Sequence, residues 1–336
     1  MQRLLVAALL ALVAAGCGAG HAAETAKRCT APAGIGSGFT TDFCRHQVPL
    51  SDFRSGGPGK DGIPALDHPR FASASSVGWL AFREPVIELA VGADVRAYPL
   101  QILIWHEIVN DRVGGVPVAV TFCPLCNTAI AFDRRVGGRT LSFGTTGNLR
   151  NSDLVMYDRQ SESWWQQFGG EALVGRYAGT RLRQLPARIV AWREFERQHP
   201  DGLVLTRKTG FSRPYGDNPY AGYDDVSSPP FFPAAHGGDR RLQPKERVVF
   251  LERGRDAAVV PYSVLQRRRL IQVSVGGHQL VVRWRGGVAS ALDSGSIPRG
   301  RDVGAASVSE HGKPVVFDEP FWFAVAAFRP HVRIVR

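Results

Sequence analysis

Two cysteines three positions apart, Cys123 and Cys126 in Thr121-Phe-Cys-Pro-Leu-Cys-Asn-Thr128, follow closely on a histidine in Trp105-His-Glu-Ile-Val-Asn-Asp111. A thiol pair with an imidazole can hold a soft or borderline metal ion, because thiolates select such ions and imidazole completes the set. On this reading Cys123, Cys126 and His106 are ligands. Met156, one of the chain's two methionines, is a candidate fourth. Copper is the first ion such a set would take and zinc the second. Glu107 neighbours the histidine as a ligand or a supporting group, although on an extended strand it would face the other way. Asn127, Asn148, Ser152 and Asp153 are polar residues that could line the pocket or cap turns, the commoner use of Asn, Ser and Asp. Two other readings stand beside the metal site. Cys-Pro-Leu-Cys has the spacing of a dithiol–disulfide redox pair, although no helix N-terminus or cation is evident to favour a thiolate. The pair could also be a structural disulfide beside a satisfied core histidine, in a binding or scaffolding module. No Ser-His-Asp order, paired-carboxylate spacing or phosphate loop is present, and whether the chain is an enzyme stays open.

The elements that must position these residues sit in a chain of 336 residues that is 44% hydrophobic, enough for one large core or two moderate ones. Its 37 glycines and 22 prolines favour turns and β structure. Residues 1–23 read as an export signal, with Arg3 ahead of an apolar run too short to span a bilayer. Ala14-Ala-Gly-Cys17 has the form of a lipoprotein box, which would lipidate Cys17 and attach the chain to a membrane. Cleavage near Ala22 without lipid is the alternative. Either way an exported, periplasmic or outer-face location is expected, where disulfides persist. Cys29 and Cys44 flank a Gly-rich stretch that a disulfide would close. The net charge of +11 is spread over the chain. Arg181/Arg183, Arg267–Arg269 and Arg299/Arg301 form no single helix face with interleaved aromatics, so no nucleic-acid partner is expected. No small-molecule substrate or protein partner is identifiable.

Residues 24–50 read as an irregular tether and 55–71 as an ordered surface loop. A hairpin is expected over 86–98, then a helical turn at 99–103, strands at 116–122, 127–133, 139–143, 154–158 and 165–176, and a loop at 144–153. Residues 188–199 have helical periodicity closed by Pro200. The stretch from Val86 to Leu103 aligns without gaps to Val248–Leu265, an offset of 162 that also sets Val113-Gly-Gly115 on Val275-Gly-Gly277. With a small slip, Val155–Asp158 falls on Val315–Asp318. Self-similarity of this kind indicates a duplicated β unit. The second copy has Arg268, Arg285, Val288 and Val316 where the first has His106, Cys123, Cys126 and Met156. The fold therefore does not require the thiols or the imidazole.

The tryptophan–histidine motif, Phe122-Cys-Pro-Leu-Cys-Asn-Thr-Ala129 and Phe143-Gly-Thr-Thr-Gly-Asn-Leu-Arg-Asn-Ser-Asp-Leu-Val-Met-Tyr-Asp-Arg159 together resemble an exported bacterial and archaeal family, domain of unknown function 3179. The resemblance covers roughly residues 50–250. It implies an exported domain with a defined site and names no reaction. The expected protein is mostly β (β-rich α+β), sandwich- or barrel-like. A first unit over 51–176 carries the site, a helix and crossing segment fill 177–244, and a second unit over 245–336 lacks the site.

Overall fold

The structure, a computed structural model, describes Cys29 and residues 31–336; the expected signal, Cys17 and the first residues of the tether lie outside it. The chain is mostly β, as expected, with its sheets set in a propeller-like ring. No described helix is long and apolar enough to cross a membrane.

The ring is built by the duplication. In the first copy the strands Pro85–Val91 and Asp94–Pro99 form a hairpin, helix α1 covers Leu100–His106, and the strands Ile108–Val113 and Val116–Cys123 form a second hairpin. In the second copy the strands Val248–Arg253 and Asp256–Pro261, a helix at Tyr262–Arg268, and the strands Leu270–Val275 and His278–Arg285 follow in the same order. Registers repeat as well: Ile87 pairs with Tyr98 and Val249 with Val260, both shifted by 162. Ile108 pairs with Thr121 and Leu270 with Arg283. The turns share their chemistry. Gly92 and Gly254 both have φ 60, and each opens a two-residue hairpin turn of a kind that needs positive φ at its first position. Gly114 and Gly276 then turn the second hairpins with φ 52 and 57.

The likeness continues past the region legible in the sequence, at a different offset. Helix α2, Trp192–Gln198, and the strand Leu203–Leu205 recur as Trp322–Phe328 and Arg333–Ile334, shifted by 130. Leu203 lies parallel to Arg96, and Arg333 parallel to Ala258. The change of offset comes from two connections of unequal length: residues 286–304 of the second copy stand where 124–127 do in the first, so Val288 does not correspond to Cys126, and a long insertion in the first copy stands where two residues do in the second. In the first copy residues 134–182 stand between the strands Thr128–Asp133 and Arg183–Leu185. In the second copy only His311 and Gly312 separate Ala305–Glu310 from Lys313–Pro314. Val315–Asp318 therefore corresponds to 185–188, not to Val155–Asp158. Met156 has no counterpart in the second copy, because it belongs to the insertion.

Other expectations also change. Residues 187–191 are a strand paired with Pro85–Val91, so α2 starts only at Trp192. The β-branched Ile189 and Val190 suit that strand, and the helical spacing ran across a strand–helix junction. The expected loop at 144–153 is a hairpin of Phe143–Arg150 and Asp153–Asp158, turned by Asn151 and Ser152 at φ 54 and 61. Non-glycine residues at both positions hid a type I′ turn. The tether is not free from residue 31 onward. Ile35 and Phe43 are buried in a cluster around Trp164, and Phe43 meets that indole edge-on at 5.2 Å. Cys29 and Cys44 form a disulfide at the start of this segment.

A β-carbon on Gly114 would sit 2.3 Å from the Val91 carbonyl oxygen, whereas one on Gly115 meets nothing within 4 Å. Both residues have positive φ, so the difference isolates the close approach. Gly114→Ala should lower stability by about 2 kcal/mol more than Gly115→Ala in urea titrations. Equal losses would show that only φ matters here.

Candidate metal centre

Each half of the site is delivered by a different part of the first copy. Cys123 ends the strand Val116–Cys123 and pairs with Thr128, the first residue of the returning strand. The residues between make a tight connection that Asn127 completes at φ 56. This turn holds both sulfurs near one another. Asp153 opens the second strand of the inserted hairpin and comes to the same point. Among the described residues, Cys123, Cys126 and Asp153 are the group of histidine, cysteine and acidic side chains whose ligand atoms all lie within 4.8 Å of one another. All three are buried, and both cysteines are free thiols.

The Cys126 thiol donates to Asp153 Oδ1 at 2.8 Å and lies 2.9 Å from Thr128 Oγ1. The Thr128 hydroxyl itself donates to Gln167 Oε1 at 2.6 Å, so its oxygen is left as an acceptor. One thiol hydrogen thus faces two acceptors. Asp153 Oδ2 accepts from Gln166 Nε2 at 2.5 Å and from the Phe168 amide at 2.9 Å. Gln166, Gln167 and Phe168 come from the insertion too.

Burial dominates the electrostatics. It pushes the Asp153 carboxyl up to about 6, with its hydrogen bonds opposing. Burial, then the neighbouring Asp153, pushes Glu107 up to about 8, with no compensating hydrogen bond. Burial raises both thiols as well, Cys126 well above its ordinary value. No arginine, lysine or histidine figures among the groups that shift these four acids. Four buried acids without a cation hold their protons far more tightly than solvated ones.

Glu107 reaches the site because α1 ends on it at φ 56 and ψ −31. Arg269 ends the corresponding helix at φ 63 and ψ −32. The unusual backbone therefore belongs to the repeated fold, and only the side chain is particular to the first copy. The crossing segment closes the site. Tyr223 donates from its hydroxyl to the Leu125 carbonyl at 2.9 Å, inside the Cys-x-x-Cys turn. The buried Lys245 ammonium lies 3.7 Å from the centre of the Tyr223 ring and donates to Ser228 Oγ at 2.7 Å. Burial raises the Tyr220 and Tyr223 phenols, and Glu107, Cys123 and Cys126 are among the acids that raise them further. The second copy closes the remaining side. The Phe321 amide donates to the Cys126 carbonyl at 2.9 Å, and Asn127 Nδ2 donates to the Glu319 carbonyl at 2.8 Å.

His106 does not join the thiols. Its Nδ1 donates to the Pro64 carbonyl at 2.7 Å, and Nε2 accepts from the Tyr215 hydroxyl at 2.7 Å. Both ring nitrogens are spoken for, and burial keeps the ring neutral by lowering its basicity. The helical turn expected at 99–103 extends to Leu100–His106 and carries the ring away from the cysteine turn, so sequence distance misled. Met156 is buried and pairs with Thr145 and Trp165. It lies in the same core cluster as Cys123 and Cys126. Asn148 is turned away to the Ile35 carbonyl at 2.8 Å, while Asn127 shapes the turn. Ser152 is buried beside the Tyr223 phenol. Tyr220, Tyr223, Gln166 and Gln167 carried no sequence signal, since nothing local ties them to the cysteines.

Residues 60–332 match the family described as protein of unknown function, DUF3179. The chain belongs to this family. The DUF3179 match takes in both copies, extending well beyond the roughly 50–250 resemblance carried by the motifs. No curated protein and no solved structure matches the chain.

The raised carboxyls set a sign for pH dependence. In chelator-treated protein the folded state keeps protons up to about 6 and about 8 that the unfolded chain loses near ordinary carboxylate values. Below about pH 4 both states are protonated and the penalty is absent. Stability should fall as pH rises from there to about 8. Glu107→Gln should flatten the upper part of that slope and raise Tm at pH 8 by roughly 5 °C. Thermal melts across this range check it; stability rising between about pH 5 and 8 would contradict it.

Proposed function

We propose that this chain is an exported metal-binding protein in which Cys123, Cys126 and Asp153 hold one divalent ion, with Glu107 beside them. The observation that carries the reading is the convergence of two thiols and a carboxylate in a buried space with no basic group to balance them. A divalent ion displaces the thiol protons and supplies the missing positive charge. Two metal–sulfur bonds of about 2.3 Å at a tetrahedral angle separate their sulfurs by about 3.8 Å, which suits ligand atoms lying within 4.8 Å of one another. Histidine and thioether donors put copper first in the sequence. With His106 engaged elsewhere and a carboxylate in the third place, the donor set is harder, and zinc moves ahead of copper. Three protein ligands leave one position for water, Glu107 or a substrate. That arrangement favours catalysis or ion transfer over a closed structural role. The Cys29–Cys44 disulfide supports an oxidising compartment. Dithiol exchange is a weaker reading, because it needs an accessible thiolate and burial here raises both thiols.

Elemental analysis of protein purified from its own compartment tests the proposal. The wild type should carry about one zinc or copper ion per chain, and Cys123→Ser and Asp153→Asn should retain about a tenth of that or less. His106→Ala should keep its metal. Circular dichroism of each variant separates lost metal from lost folding. Equal metal content in wild type and Asp153→Asn would refute the donor set.

A further inference from the structure

The pseudo-symmetry gives the dithiol site a counterpart in the second half of the molecule, and its chemistry is reversed. The offset of 162 sets Arg269 on Glu107 and Arg285 on Cys123, and the offset of 130 sets Phe321 on Ala191. In the first copy the cysteine turn is closed through Phe321, at the start of the last helix. In the second copy the start of α2 faces the equivalent strand end across an open cavity of about 690 Å³. Arg193, Arg197 and Arg285 line that cavity with Gly286 and Gly287. Arg285 also borders a neighbouring cavity of about 270 Å³, which Arg269 and Arg283 line.

The charges around this seam do not cancel. Glu194 is the acid among the lining residues, and it is shared: Arg188 lies 3.4 Å from it and Arg285 3.5 Å. Arg188 is further neutralised by Glu88 at 3.0 Å. The nearby Asp302 accepts from the Gly287 and Gly304 amides at 2.9 Å and adds one negative charge, still outnumbered by the arginines. Arg193, Arg197, Arg269 and Arg283 are exposed. The Arg269 guanidinium is held 4.5 Å from the centre of the Trp284 ring, which fixes its plane and leaves its N–H groups free to donate. Several guanidinium forks converging on one groove match the oxygens of linked phosphoryl groups far better than a single carboxylate.

We propose that the seam between α2 and the strand His278–Arg285 is a binding site for a ligand bearing phosphoryl groups, either a free oligophosphate or an anionic phospholipid headgroup. In this arrangement one of the two pseudo-equivalent sites presents acids to a cation and the other, built from both copies, presents arginines to an anion.

The test uses the whole folded chain and two probes. Inorganic tripolyphosphate is titrated calorimetrically at moderate salt, and vesicles of phosphatidylglycerol in phosphatidylcholine are co-sedimented. The triple variant Arg193→Gln/Arg197→Gln/Arg285→Gln is compared with Arg54→Gln/Arg139→Gln/Arg255→Gln, which removes the same charge from exposed positions outside the groove. The groove variant should weaken binding of at least one probe by about tenfold or more, and the control by less than about twofold. A selective loss for tripolyphosphate identifies a soluble ligand; a selective loss for vesicles alone identifies a headgroup. Equal losses in both variants, or no binding of either probe by the wild type, overturns the proposal. Metal content should be unchanged in the groove variant, so this test is independent of the thiol site.

Discussion

Burying acids without a counter-charge is the constraint around which the first copy is arranged. A carboxylate in an apolar interior is so poorly solvated that it takes up a proton or finds a cation. Here two carboxyls and two thiols share one enclosed space. The amides of the Gln166 side chain and the Phe168 backbone soften the cost for Asp153 alone. Glu107 receives no such help. A structure that needed only a stable core would have filled this volume with leucine and valine, as the rest of the same cluster does.

The duplication explains how such a space could arise. The strand pairing that places Cys123 and the left-handed residue that ends the helix at Glu107 both recur in the second copy, whereas the tight cysteine turn does not, since residues 286–304 take its place. The repeated frame is therefore neutral scaffolding, and side chains decide what it holds. Asp153 is different, because it enters on residues 134–182, which the second copy lacks. The site was completed by an insertion into one copy, with the crossing segment and the start of the other copy's last helix laid over it.

Much of the frame was legible in the sequence for a physical reason. Hairpin turns that need positive φ are written in glycine, and Gly92, Gly114 and Gly115 recur at one fixed spacing. Strand faces repeat between them. The cysteine pair was legible because a tight turn holds its members together whatever the fold. His106 was misleading, since the helical turn expected at 99–103 runs on to include it and turns the ring toward Pro64 and Tyr215. The mispairing of Val155–Asp158 with Val315–Asp318 came from apolar stretches that resemble one another without corresponding, the first a strand and the second not. Asp153 was named from the sequence as a pocket residue and not as a ligand, while Tyr220 and Tyr223 reach the site through long-range packing that no local pattern records.

The two hydrogen bonds from the cysteine turn to residues 319–321 have a historical consequence. The carbonyl of Cys126 and the side chain of Asn127 are satisfied by the opposite copy. A single unit of the kind that was duplicated could not have closed this turn by itself unless two chains met as the two halves do now. The second half cannot be deleted without uncapping the buried cysteine turn of the first. The cysteine turn therefore makes the two halves an obligate pair, held in a shared frame by hydrogen bonds that cross from one to the other.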